Sequence, residues 1–119
     1  MSPLTCIALA VYFEARGEPI EGQEAVASVA MERVMSRHYP DKACEVVFQD
    51  KQFSAFNSGE VPPIYDVEAL DLALQVARSV VNNHEKWIGA THYHTVDIRP
   101  YWADSYTVVA VVGNHIFYK

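Results

Sequence analysis

A chain of 119 residues, half of them hydrophobic and a fifth charged, has an ordinary globular composition and is long enough for one core burying about two-thirds of its unfolded surface. The formal charge of −6 argues against nucleic acid and anionic membranes as partners, since both select clustered Lys and Arg. The apolar run IALAVYF has no Lys or Arg before it and ends on Glu14, so neither a signal peptide nor a membrane span is expected.

In chain order, Ser2 and Pro3 form a helix start, and Leu4, Ile7, Ala8 and Val11 recur at helical spacing, which predicts a helix over 3–15. Gly17 and Pro19 stop it. Val26, Ala30 and Val34, beside Ala27, predict a second helix over 21–37, and 41–48 reads as a short third one. Asn57, Ser58, Gly59, Pro62 and Pro63 make 49–65 a loop or short hairpin. Asp66 then caps a helix over 66–83. One stripe of that helix is Val67, Leu70, Leu74, Ala77 and Val81, and a second is Ala69, Ala73, Val76 and Val80, which predicts that it is the hydrophobic centre. Beyond residue 90, YTVVAVV and HIFYK flank Gly113-Asn114 as a β-hairpin. The fold class is therefore α+β, with helices packed on a small antiparallel sheet near the C-terminus, in one domain. Cys6 and Cys44 lack CxxC or zinc-finger spacing and are expected to be small buried hydrophobes.

Glu14 shares a helical stripe with Ile7, Ala10 and Val11, so its carboxyl points where the core points. Burial favours the neutral acid, and a proton held near neutral pH is what a glycosidic oxygen requires of its general acid. The break at Gly17 and Pro19 puts Glu14 at the mouth of a cleft. The alternative is a frayed helix end on which Glu14, Arg16 and Glu18 make surface ion pairs.

The stretch FEARGEPIEGQEAVASVAMERV resembles the signature of the SleB/CwlJ-type cell wall hydrolases, a family that includes spore-cortex-lytic enzymes and related phage lysins. FQDKQFSAF at 48–56, GATHYH at 89–94, PYW at 100–102 and GNHIFY at 113–118 match in the family's order. The resemblance implies a compact lysozyme-like domain that cuts the MurNAc–GlcNAc strands of peptidoglycan. It makes Glu14 the essential acid of lytic transglycosylase chemistry, acting without a second carboxylate. It also implies substrate contacts from Gln52, Phe53, Ser54, Tyr93, His94 and Trp102, whose mixture of aromatic faces and polar groups suits a sugar. Phe53, Phe56 and Trp102 read equally as core, because aromatics beside a small sheet usually pack on it.

No cofactor and no metal are expected, and the chain is expected to act as a monomer. Without a leader or a wall-binding repeat it fits a lysin made in a host cytoplasm and released through holes opened by a holin-like protein; an excised catalytic domain is the alternative. A two-carboxylate glycosidase would need Glu18, Asp50, Glu60, Asp66, Asp97 or Asp104, each of which a solvated turn or a cap explains. Two other classes compete. His92, His94 and His115 could hold zinc in an N-acetylmuramoyl-L-alanine amidase with Glu14 as base. A non-catalytic wall-binding module would keep the aromatics and have no use for a desolvated Glu14.

Overall fold

A computed structural model describes residues 1–49 and 60–119. Among the described residues four helices precede three strands: α1 (Pro3–Ala15), α2 (Ile20–Val34), α3 (Ala43–Phe48), α4 (Val67–Val81), β1 (His92–Thr95), β2 (Val108–Val112) and β3 (His115–Tyr118). This is the α+β architecture that the sequence predicts. Short 3₁₀ turns at His84–Lys86 and Tyr101–Ser105 punctuate the connections around the sheet.

The caps act as expected. The Ser2 hydroxyl accepts from the Thr5 amide at 3.1 Å, and Asp66 accepts from the Ala69 amide at 2.9 Å. Each satisfies one of the amides that a helix start leaves without a partner. Gly17 (φ 85°) turns the chain out of α1 through a left-handed conformation that a side chain would strain. α2 ends at Val34, earlier than residue 37, because the chain turns at Met35 and Ser36.

The centre of the molecule is α1 rather than α4. Every residue from Cys6 to Tyr12 is buried, because α2, α3 and α4 all pack around this one helix. α4 instead buries one face, Ala73, Val76, Ala77 and Val80, while Val67 is 73% exposed and Leu70 and Leu74 are half-buried. The larger side chains of the other stripe, Val67, Leu70, Leu74 and Val81, lie along the rim of the core or outside it, so burial follows the alanine-rich face that lets the helix approach α1 and α2. An apolar surface continuous around a helix is the signature of complete burial, and CIALAVY carried it.

Cys6 and Cys44 are disulfide-bonded, with Cα atoms 5.2 Å apart, which corrects the expectation of two separate buried thiols. The bond ties the start of α1 to α3 across 38 residues of sequence. At the other end of α1 the Tyr12 hydroxyl accepts from Arg16 Nη1 at 2.6 Å and from the Asp66 amide at 3.2 Å, joining the helix end to the start of α4.

The strands form one antiparallel sheet in the order β1-β3-β2. β1 pairs Tyr93 with Phe117 and Thr95 with His115, and β2 pairs with β3 through a register shift between Val108 and Ala110. Phe117 is fully buried in the helical core, which fixes which face of the sheet meets the helices. β1 is an edge strand and leaves room beside it.

Candidate active site

That room is a cavity of about 610 Å³ lined by Glu14, Arg33, Thr95, Ile98, Pro100, Tyr101 and Trp102, with His92, Tyr93, His94 and His115 completing the wall. Glu14 occupies the last turn of α1. The buried stripe of Ile7 and Val11 leads to it, and it emerges half-buried where the helix meets the cavity.

Tyr93 stands on β1 within electrostatic reach of Glu14. Burial raises the phenol well above its usual range, the Glu14 charge raises it further, and the Arg33 guanidinium partly offsets both. Tyr93 is therefore a neutral hydrogen-bonding group at neutral pH. Its ring packs edge-on to His115, centroids 5.3 Å apart, and at a tilt on Phe117 at 5.5 Å.

His94 and Trp102 belong to an aromatic cluster on the other face of the sheet. The Nδ1–H of His94 donates to the Thr95 carbonyl at 2.7 Å, which leaves Nε2 to accept from the Tyr118 hydroxyl at 2.6 Å. Trp102 packs against His92, His94, Tyr106 and Tyr118 at centroid distances of 5.3 to 5.9 Å. His92 stacks on Tyr106 at 4.2 Å, and burial followed by the Arg33 charge lowers its pKa. His92 and His94 point the same way from β1, as alternation predicts. Both ring nitrogens of His94 are engaged within the protein, and among the described residues no three His, Cys, Asp or Glu side chains converge as metal ligands.

Of the residues expected to contact substrate, Tyr93, His94 and Trp102 share the cavity with Glu14. Gln52, Phe53 and Ser54 lie outside the described residues, as do Phe56 and Asp50. None of Glu18, Glu60, Asp66, Asp97 and Asp104 lines the cavity, so Glu14 is its one carboxylate among the described residues.

Glu18 does not sit in a freely solvated turn, as its Gly17-Pro19 setting suggested. Its carboxylate accepts from the Asn114 amide at 2.7 Å and from Asn114 Nδ2 at 2.9 Å, and Oε1 is 3.5 Å from His115 Nδ1. The Asn114 amide bond is the largest influence on its pKa and holds it below the usual carboxylate value, with the Asn114 side chain and His115 acting in the same direction. A Cβ on Gly113 (φ 56°) would lie 2.5 Å from Glu18 Oε1 and 2.9 Å from Pro19 Cδ, so the hairpin turn approaches this loop as closely as glycine permits. Glu18 thus ties the α1–α2 turn to the β2–β3 turn. Burial lowers the His115 pKa more than Glu18 raises it, and the ring's Nδ1 has no hydrogen-bond partner among the described residues.

Arg33 was not singled out from sequence. It is 4% exposed in the last turn of α2, donates from Nε to the Thr91 carbonyl at 2.8 Å and lies over the Tyr39 ring at 4.9 Å. Its position seven residues after Val26 on a buried stripe was the available signal, because a long cation placed there must reach a polar site.

The fold that carries this arrangement is shared with known proteins. The chain belongs to the cell wall hydrolase family, whose model matches residues 17–118. It is similar to the spore cortex-lytic enzyme of Oceanobacillus iheyensis, 34% identical over 114 residues that cover 95% of this chain and 40% of the relative. It is likewise similar to that of Bacillus subtilis, 32% identical over 112 residues covering 93% and 35%. The chain thus spans about two-fifths or less of the length of these curated relatives. The crystal structure of the catalytic domain of the Bacillus cereus SleB protein superposes with a TM-score of 0.83 at 30% identity, covering 98% of this chain and 89% of that one. The catalytic domain of the germination-specific lytic transglycosylase SleB from Bacillus anthracis gives 0.84 at 30% identity, covering 98% and 93%.

Proposed function

We propose that this chain cleaves the MurNAc–GlcNAc strands of peptidoglycan as a lytic transglycosylase, with Glu14 as the single acid–base group. The observation that carries the reading is Glu14 standing as the one carboxylate among the described residues of a cavity otherwise built from neutral aromatic and polar side chains and Arg33. The names of the relatives, spore cortex-lytic enzyme and lytic transglycosylase, support the same chemistry.

In this mechanism the protonated Glu14 donates to the bridging oxygen between muramyl C1 and the neighbouring GlcNAc. The C1–O bond breaks, and positive charge develops at C1 beside the Glu14 carboxylate now formed. The muramyl 6-hydroxyl attacks C1 and returns its proton to Glu14, leaving a 1,6-anhydro end and a restored acid. One carboxylate serves both halves because the nucleophile belongs to the substrate, whereas a two-carboxylate glycosidase needs a partner roughly 5 to 9.5 Å away. Tyr93 supplies a neutral phenol near the reacting centre. His94 and Trp102 form the sugar-facing wall, and Gln52, Phe53 and Ser54 are proposed as further contacts from the family resemblance.

The zinc amidase reading draws less support, because hydrogen bonds within the protein occupy both ring nitrogens of His94, one of which a zinc ligand would need free. We take the chain to work as a monomer, without nucleic acid, as one catalytic domain. The proposed route to the wall, synthesis inside a host cell and release through holes made by a second protein, is compatible with the Cys6–Cys44 bond forming after the chain leaves a reducing compartment. The test is clearing of permeabilised cells. Wild-type protein should clear with or without a chelator, and folded Glu14→Gln should be slower by at least about 10²-fold. Clearing that stops with chelator would favour the amidase.

A further inference from the structure

The rim of the cavity carries an aromatic side chain that the fold does not use. Pro100 leads into the 3₁₀ turn Tyr101–Ser105, and the two rings that follow divide their work. Trp102 turns inward onto the cluster of His92, His94, Tyr106 and Tyr118. Tyr101 turns outward: it is 95% exposed, lines the cavity, and makes no hydrogen bond, ion pair or ring contact among the described residues. Ile98, 55% exposed, lines the cavity beside it. Arg99 pairs with Asp104 on the same connection, so that pair adds no net charge to the rim.

Large apolar groups exposed together on one patch mark a binding surface more often than a structural need. We propose that Tyr101 and Ile98 form an outer subsite that holds the peptidoglycan strand where it leaves the Glu14 cavity; this rests on the glycan-cleaving reading above. Continuity with the cavity selects the occupant, because a strand whose scissile bond lies at Glu14 continues past the cavity mouth. The chemistry agrees: a phenol ring presents a flat face to the C–H side of a sugar and a hydroxyl to its polar edge. A protein of net charge −6 gains nothing from an anionic lipid at the same place.

The experiment uses binding, separated from turnover. Glu14→Gln protein is co-sedimented with purified peptidoglycan sacculi, alone and with Tyr101→Ala or Tyr101→Phe added. Tyr101→Ala should weaken binding roughly 3- to 10-fold, the range of one aromatic contact, with an unchanged thermal midpoint, and Tyr101→Phe should retain most of the affinity. In the Glu14-intact enzyme the same Tyr101→Ala change should raise KM more than it lowers kcat. Unchanged sacculus binding by Tyr101→Ala overturns the proposal. So does a wild-type dimer that Tyr101→Ala converts to monomer in sedimentation velocity without loss of sacculus binding, since the patch would then be a contact between copies. Failure of the glycosidase reading would appear separately, as wall clearing by Glu14→Gln.

Discussion

Glu14 and Glu18 lie four residues apart in EARGE, yet their surroundings differ. Glu18 is held ionised by two hydrogen bonds from Asn114, which together with His115 outweigh the burial that favours its proton. Glu14 ends a buried helix and faces a cavity wall of aromatic rings. The direction of Glu14 could be read from the sequence, since spacing from Ile7 and Val11 fixes it. The partners of Glu18 could not, because Asn114 is 96 residues away and no local pattern joins them. Tyr93 carries the residue-scale prediction. With its phenol kept neutral by burial, Tyr93→Phe should lower kcat about 10-fold while the thermal midpoint stays near wild type, as expected for loss of one hydrogen bond made in the transition state. Equal kcat in the Phe variant would assign Tyr93 to packing alone.

At the scale of elements, the number and order of helices and the hairpin were legible, and the identity of the central helix was not. Counting apolar stripes favoured α4 because alanines scored there like leucines, although it is the small side chains that mark its contact face. α1 is enclosed on all sides, so Ile7→Ala should cost roughly 2 to 5 kcal/mol. Half-buried Leu74 gives up less contact, and Leu74→Ala should cost about 1 to 2 kcal/mol. Denaturant titrations of the two variants test this directly, and an equal or larger loss at Leu74 would return α4 to the centre. The contact between the α1–α2 turn and the hairpin makes a second prediction. Glu18→Ala removes the acceptor of two charge-assisted hydrogen bonds in a mostly buried position and should cost about 2 to 3 kcal/mol. Glu18→Gln keeps one acceptor oxygen, so it should lose less stability and retain far more activity than Glu14→Gln.

For the whole molecule, three groups, His92, His115 and Glu18, give stability the same dependence on acid, His92 in the same direction and range as His115. His115 has a folded pKa below its ordinary 6.5, so as pH falls through 6.5 the unfolded chain takes the proton first and stability declines. Glu18 lies below its ordinary 4.5, so its contribution is present above that value and is lost as pH falls through the folded pKa. The thermal midpoint should therefore drop from about pH 6.5 downward, with a further fall below about pH 4.5 that Glu18→Gln flattens. A midpoint constant between these values would contradict the account of the hairpin contact. The disulfide was illegible for a related reason: two cysteines 38 residues apart pair only because α3 folds back onto the start of α1, a fact of packing rather than spacing. The central claim is that one carboxylate, Glu14, drives an intramolecular ring closure on the glycan. Mass spectrometry of the muropeptides released from purified sacculi tests it most directly. Wild-type protein should release 1,6-anhydro-muramyl ends that folded Glu14→Gln does not produce, whereas free stem peptides, or the same anhydro products from Glu14→Gln, would contradict it.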